Sequence, residues 1–256
     1  MSDPTARFST RVQAYVRYRP GYPPEIVRLL ERECGLTPGS LIADVGSGTG
    51  ILAELFLKNG NRVFGVEPNR EMREASDRLL AGYPGFTSID ARAEATTLTD
   101  ARVDLVTAGQ AFHWFDRPAA RQEFARILKP AGWVALIWNV RRKTTTPFLR
   151  AYEHLLLTHS IDYRTVDHEN VTDAMIAEFF RPGSCTLNTF ENRQRFDYAG
   201  LEGRLMSSSY VPEPGHPNHA PMLAELRVIF ATHQQDGKVS FDHDTKVYFG
   251  CLRPGG

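Results

Sequence analysis

The chain has 256 residues, 42% of them hydrophobic, and its 30 basic and 30 acidic side chains cancel without forming a block of like charge. That balance argues against nucleic acid as a partner, and Cys34, Cys185 and Cys251, odd in number, far apart and without a CxxC pair, argue against a disulfide framework or a structural zinc site. No apolar run reaches the roughly 18 residues of a membrane span, and MSDPTARFST has no apolar signal core, so one soluble, cytoplasmic domain with reduced, mostly buried thiols is expected.

In chain order, Phe8, Val12, Tyr15 and Val16 fall at helical spacing, and YRPGYPPEI then breaks any helix with three prolines and a glycine. This arm is expected to cover whatever the core binds. Ile26, Val27, Leu29 and Leu30 supply the buried face of a helix that starts at Pro24 and runs to Gly35. Leu41–Val45 reads as a strand buried on both faces. A glycine-rich turn, a helix opening near Thr49 or Gly50, an NGN stop and the strand RVFGVEP complete a βαβ unit. Residues 71–80 predict a helix, FTSIDARAEA a third strand running into a loop, and VDLVTAGQAF a fourth strand. PAARQEFARILKPAGW predicts a helix closed by Lys129, Pro130 and Gly132, and WVALIWNV a fifth strand. Strands alternating with helices predict a doubly wound, mostly parallel α/β sheet that binds ligands outside the carboxyl ends of its strands. After Val140 the rhythm changes. Residues 148–157, 173–180, 201–209 and 222–233 read as helical, CTLNTFENRQRF as a strand or hairpin, and KVSFDHDTKVYFGCL as a strand pair or one long bent strand.

In DVGSGTG, Asp44 ends the first strand, and Gly46, Gly48 and Gly50 let backbone approach a ligand with no Cβ in the way, beside the amides of a helix N-terminus. Glu67 falls at the tip of the second strand, where a carboxylate can accept from both hydroxyls of a ribose. The dinucleotide fingerprint is GxGxxG, whereas GSGTG places its third glycine after one residue, and an acid just before the turn repels phosphates. Asp44 therefore disfavours NAD and suits a cationic ligand.

DVGSGTG with Glu67, the AEA after the third strand and the KPAGW before the fifth resemble the motifs of class I S-adenosylmethionine-dependent methyltransferases, most closely over residues 41–140. YRPGYP, QAFHWFD and GRLMSSSYVP are similar to segments of the small-molecule branch that includes the trans-aconitate methyltransferase-like proteins. The resemblance implies a Rossmann-like, seven-stranded sheet whose last strand is antiparallel. Residues 1–24 would be the covering arm, 25–140 the cofactor-binding core, 141–235 a helical cap or insertion with an edge strand, and 236–256 the terminal strand. It also implies that Asp44, Gly46, Ser47, Gly48, Thr49 and Gly50 hold the methionine part of S-adenosylmethionine and that Glu67 holds the ribose. Pro68, Asn69 and Met72 would lie along the adenosine, Ala93 and Glu94 near the adenine, and Gln110 beside the sulfonium. Tyr18 or Arg19 could bind the methionine carboxylate. Ala131 stands where the family often has a second glycine, a departure that touches the type of turn.

Methyl transfer needs a nucleophile held in line with the methyl carbon and water kept out. His113, just past the fourth strand, is the candidate general base, or else a residue that holds its loop. Trp114 and Phe115 around it are candidate walls of the substrate pocket, and Phe112 is either a wall or a core residue. Tyr15 from the arm, Trp138, Asn139 and Arg141 from the end of the fifth strand, and Arg204, Ser207 and Tyr210 from the late segment complete the candidate pocket. Arg141 beside Arg142 and Lys143 could grip an anion or form a solvated turn, and the Arg204 cluster could equally be a capped helix end. No metal is expected, since His154, His159 and His168 lack compact ligand spacing. These readings converge on transfer of a methyl group to a small molecule at a carboxylate or hydroxyl oxygen, by a monomer or homodimer that binds neither nucleic acid nor membrane. The alternatives are a catalytically silent S-adenosylmethionine-binding protein and, less well matched, a nicotinamide oxidoreductase.

Overall fold

The computed structural model describes residues 16–163 and 171–253, so Tyr15 and His168 lie outside the described residues. Seven strands form one sheet in the order β3-β2-β1-β4-β5-β7-β6. β1 (Leu41–Val45) lies between β2 (Arg62–Val66) and β4 (Val103–Gly109), both parallel to it, and β3 (Phe86–Ile89) closes that edge. β5 (Leu128–Arg141) runs parallel to β4, while β7 (Val239–Gly250) is antiparallel both to β5 and to the edge strand β6 (Cys185–Phe196). The chain order reverses between β1 and β4, the position where an open α/β sheet leaves a crevice at the strand ends.

Helices α1 (Glu25–Cys34) and α2 (Ile51–Lys58) cover one face of the sheet through Ile26, Leu30, Leu52 and Phe56. On the other face, α4 (Arg117–Ile127) and α6 (Asp173–Phe180) bring Phe124, Phe179 and Phe180 onto β4, β5 and β7. Helix α3 (Arg70–Leu79) starts at Asn69, whose Oδ1 accepts from the Met72 amide at 2.8 Å. A third core joins α5 (Pro147–His159), α7 (Tyr198–Met206) and α8 (His219–His233) around Tyr152, Leu201, Leu226 and Phe241. These three helices are the cap that the change of rhythm after Val140 predicts.

Two stretches differ from the sequence reading. KPAG does not close the helix. Val103 pairs with Leu128 but Leu105 already pairs with Trp133, so residues 129–132 leave the ladder as an irregularity inside β5. Pro130 has no N–H to give a ladder, and a bulge is where a sheet tolerates it. The last segments, open between hairpins and single strands, are two single strands of 12 residues paired along their whole length. Among the described residues no helix is long and apolar enough to cross a membrane, and the three cysteines are half-buried thiols without disulfide partners.

The loop after β3 is fixed to α4 by Glu123, whose Oε1 accepts from the Thr96 amide (2.7 Å) and hydroxyl (2.6 Å) while Arg126 bonds both oxygens. Burial alone would raise this carboxyl, but the bonds from Arg126 and Thr96 outweigh it and hold the group below the usual range. Glu123→Ala would leave the buried Thr96 amide without its acceptor, and a loss of about 2 kcal/mol in urea unfolding is the expected result.

Candidate functional site

The cleft opens where β1 and β4 part. The turn after β1 hangs from β2, because the amides of Gly46 and Ser47 both donate to the Val66 carbonyl at 2.8 and 3.1 Å. Gly46 has a φ of +69°, and a Cβ there would come within 2.4 Å of the Ala111 Cβ with the Phe115 ring behind it. Gly48, at φ +56°, has nothing within 4 Å on its Cβ side, so its backbone faces open space. Asp44 is 1% exposed. Its Oδ1 accepts from the Thr107 hydroxyl of β4 at 2.9 Å, and its Oδ2 has no partner. The hydroxyls of Ser47 and Thr49 are likewise buried without partners. Burial pushes the Asp44 carboxyl up to about 7, the Thr107 bond works against this, and the nearby negative charge of Glu67 adds to it.

Glu67 clasps the turn from the neighbouring strand tip. One carboxylate oxygen accepts from the Gly48 amide at 3.0 Å and the other from the Asn69 amide at 2.9 Å. Burial raises this carboxyl too, opposed by those two amides and by Arg73. Each oxygen has further acceptor capacity, so Glu67 can shape the turn and still receive hydroxyls.

The opposite wall comes from β5 and β7, which run on past the other strands. Asp44 lies level with Thr107 of β4 and, through it, Ala135 of β5, while Arg141 sits six residues further along β5 and pairs with His243 of β7. Arg141 donates to Tyr163 at 3.0 Å and to Glu153, which also accepts from Tyr163 at 2.9 Å. The arm lies across this wall. Asn139 and Asn192 donate to the Gly21 carbonyl at 3.2 and 2.8 Å, Gln194 donates to the Tyr18 carbonyl at 3.3 Å, and Arg19 donates to the Ser207 carbonyl at 3.1 Å. Arg19, Pro20 and Tyr22 thereby line the cleft.

Of the residues predicted from sequence, the cleft brings together Asp44 and the segment 46–49 at one end, while Arg19 bonds Ser207 toward the other. Gln110, His113 and Trp114 line its middle, and Asn139, Arg141, Arg204 and Tyr210 the far end. Gln110 ends β4 at φ +57° and ties its amide to the Asn139 carbonyl at 3.0 Å. Backbone held in the left-handed region by a non-glycine residue is often found at functional clefts. Glu67, Pro68, Asn69 and Met72 sit beside the turn at the tip of β2, outside the cleft lining, and Gly50 packs on Leu80 as the first cap of α2. Ala93 is buried, and Glu94 accepts from the Asp116 amide at 2.9 Å at the start of α4.

Five further predicted residues lie off the cleft lining. Trp138 alternates with Asn139 along β5 and so points to the other face, into the α4 and α6 core. Phe112 is fully buried in that core, with its ring 4.8 Å from Phe179, and Phe115 packs beneath Gly46 against it. The Tyr18 ring is stacked against Gly203 of α7, and the Ser207 hydroxyl is turned inward to the Arg204 carbonyl at 2.7 Å. Conversely, the cleft gains Tyr22, Tyr163, Ser209 and His243, and Lys143 beside Arg141. His243 had a readable signal, since it shares the inward phase of Phe241, Thr245 and Val247, but a histidine among strand residues carries no motif.

Residues 43–136 match a family described as "Methyltransferase domain". Over this segment the chain is similar to methyltransferase domains. An uncharacterized methyltransferase of Schizosaccharomyces pombe is 35% identical over 150 residues, covering 58% of either chain. One from Mycobacterium tuberculosis is 37% identical over 139 residues, covering 54% of either. The chain therefore spans a little over half the length of these relatives. Two solved structures share the fold. A presumed type II methyltransferase from Anaeromyxobacter dehalogenans superposes with a TM-score of 0.69 at 23% identity, over 93% of this chain and 100% of its own. The YcgJ protein of Bacillus subtilis gives 0.59 at 20% identity, over 90% and 99%.

S-adenosylmethionine is the cofactor of such a domain, and the residues present fit it. The Asp44 Oδ2 and the Ser47 and Thr49 hydroxyls are buried polar atoms left for a polar ligand, and Gly48 leaves the backbone room to meet one. An acid whose folded pKa lies above its unfolded value holds its proton between the two, so the ligand-free chain loses stability as pH rises from about 4 to about 7. Urea unfolding across that window should show the decline, of the order of 2–4 kcal/mol, and Asp44→Asn should flatten it.

Proposed function

We propose that this chain binds S-adenosylmethionine in the Asp44–Gly50 turn and transfers its methyl group to a small-molecule acceptor at a carboxylate or hydroxyl oxygen. The observation that carries the reading is the set of three buried, unpartnered polar atoms on that one turn, at the place where the sheet reverses its order. A cationic ligand suits it, because a positive charge beside Asp44 favours the ionised carboxylate over the protonated one. In this reading Asp44, Gly46, Ser47, Gly48 and Thr49 hold the methionine portion, with Arg19 of the arm on its carboxylate. Glu67 takes the ribose hydroxyls. Pro68, Asn69 and Met72 flank the adenosine, and Ala93 and Glu94 the adenine.

When bound, S-adenosylmethionine supplies a methyl carbon that an acceptor oxygen attacks as the carbon–sulfur bond breaks toward sulfur. The work of the chain is to bind, align and exclude water. Gln110, fixed by its bond to Asn139, would face the sulfonium, and His113 and Trp114 would border the reacting atoms. A carboxylate acceptor is already nucleophilic and asks only for placement. A hydroxyl acceptor gives up a proton, and His113 is the cleft residue suited to take it. The stapled arm closes the cofactor in from the β5 and β7 side, consistent with a site that turns over a small molecule rather than a polymer.

Two measurements test this. Calorimetry with S-adenosylhomocysteine should show Glu67→Ala binding at least tenfold more weakly than the parent, since charge-assisted hydrogen bonds are worth about 1.5–3 kcal/mol each; equal affinity removes Glu67 from the ribose. Incubation with methyl-labelled S-adenosylmethionine and a panel of small carboxylic acids and phenols should label at least one of them. Tight cofactor binding without any labelled product would favour a silent binding protein.

A further inference from the structure

The far end of the cleft contains polar nitrogen atoms that the chain itself does not satisfy. Arg204 of α7 is 6% exposed. One of its terminal nitrogens reaches the hydroxyls of Ser208 at 3.2 Å and Ser207 at 3.4 Å, and its Nε has no partner. Among the described residues no carboxylate pairs with it; its guanidinium lies over the Phe241 ring with 5.3 Å to the centroid. Arg141 differs, because Glu153 neutralises it, yet its Nη1 is also buried without a partner. His243, 1% exposed, has both ring nitrogens in the same condition. Burial, then the charges of Arg204, Arg141 and Arg19, push His243 down to about 3, so the imidazole is neutral and offers one N–H. Burial lowers Arg204 as well, to about 10, which leaves it charged at neutral pH. Three side chains from three elements thus converge on one space with one uncompensated positive charge. A buried charge without a counter-charge is costly unless something else supplies it.

We propose that Arg204, the Nη1 of Arg141 and His243 form an anion subsite that takes a carboxylate of the methyl acceptor, so that the acceptor is an organic acid gripped at this end while its reacting oxygen lies toward Gln110 and His113. This rests on the methyltransferase reading of the same cleft and adds the substrate class. The methionine carboxylate of the cofactor is the other anion to consider, and distance separates the two. His243 lies on β7, three strands from Asp44 or about 14 Å at ordinary strand spacing, and its partner Arg141 is six residues further along β5 than the level of Asp44. The ammonium and carboxylate of methionine share one carbon, so a cofactor anchored at Asp44 cannot also place its carboxylate at His243. The subsite is also selective by shape. A planar guanidinium and an imidazole N–H match the in-plane lone pairs of a carboxylate, and a neutral amide would set its own N–H groups against theirs.

The test uses the full-length chain, with and without saturating S-adenosylhomocysteine, and four probes: glutarate, benzoate, glutaramide and benzamide. Calorimetry should show at least one acid binding the parent, with its amide at least tenfold weaker. Arg204→Met should lose the acid by tenfold or more while keeping its affinity for S-adenosylhomocysteine within twofold. Arg204→Lys, which keeps the charge but not the fork, should fall between, and His243→Phe, close in shape and set among aromatic side chains, should lose several-fold. These two variants and the acid–amide contrast in the parent carry the test should Arg204→Met fail to fold. The proposal is overturned if neither acid binds, if acid and amide bind alike, if inorganic phosphate binds in place of the acids, or if Arg204→Met loses S-adenosylhomocysteine as well, which would give the subsite to the cofactor. A parent that binds acids over amides but not S-adenosylhomocysteine would overturn the methyltransferase reading and leave the anion subsite standing.

Discussion

Asp44 stands at the tip of β1 with one hydrogen bond, from Thr107 of the adjacent strand, where an ionised carboxylate has sites for about four. Dry surroundings first, and a second carboxylate in Glu67, disfavour its charge and together lift it to about 7 against the hydrogen bond from Thr107. Around that carboxylate the chain has arranged everything that can be rigid. The turn that follows is hung from Val66, clasped by Glu67 at Gly48, and packed against Ala111 so closely that Gly46 admits no side chain. A flexible turn would fold its hydroxyls onto Asp44 and satisfy it. The rigid one holds Ser47 and Thr49 short of doing so, and the unmet capacity is what a polar, cationic ligand can fill.

The cleft is polarised along its length, which the neutral composition conceals. One end has Asp44, with Glu67 behind it, and the other has Arg19, Arg141, Arg204 and Lys143. Such a gradient favours a ligand pair of opposite charge and orients each before any specific bond forms. It follows from the extra length of β5 and β7. Beyond the level of the switch point these two strands form a ribbon whose inward phase presents Asn139 and Arg141 on one strand and Thr245 and His243 on the other. The cap core around Tyr152 and Phe241 covers the ribbon, and the side-chain amides of Asn139, Asn192 and Gln194 hold the arm against it through backbone carbonyls. Backbone carbonyls carry no sequence signature, so any segment able to extend there could be held.

How much was legible in the sequence divides along the same line. Strands β1, β2 and β4, the glycine turn and the two strand-tip acids follow from local rules: apolar runs bounded by turn residues, glycines where Cβ would collide, carboxylates at strand ends. The aromatic residues after β4 were harder. QAFHWFD reads as a pocket wall because it follows a strand end, but one 3-10 turn sends Phe112 into the core and leaves His113 and Trp114 at the cleft, and the phase of so short a turn is not written in composition. Trp138 and Asn139 show the same difficulty on a strand, where a step of one residue changes the face. Of the basic trio, Arg141 and Lys143 go to the cleft, while Arg142 pairs outside with Asp244 and Glu191. That sorting depends on β6 and β7, where the partners of Arg142 lie 49 and 102 residues further along the chain.

The segment that matches the methyltransferase family ends at residue 136, and Arg141, Arg204 and His243 all lie beyond it. The matched span contains the half of the cleft around Asp44 and Glu67. The cap has its own apolar core, separate from the two that flank the sheet. At the cleft the two halves are tied by the Gln110–Asn139 bond and the arm. In the proposed reading, selection of the acceptor falls to the charges of the cap and the ribbon beneath it, above all to the buried guanidinium of Arg204, which has no carboxylate partner among the described residues.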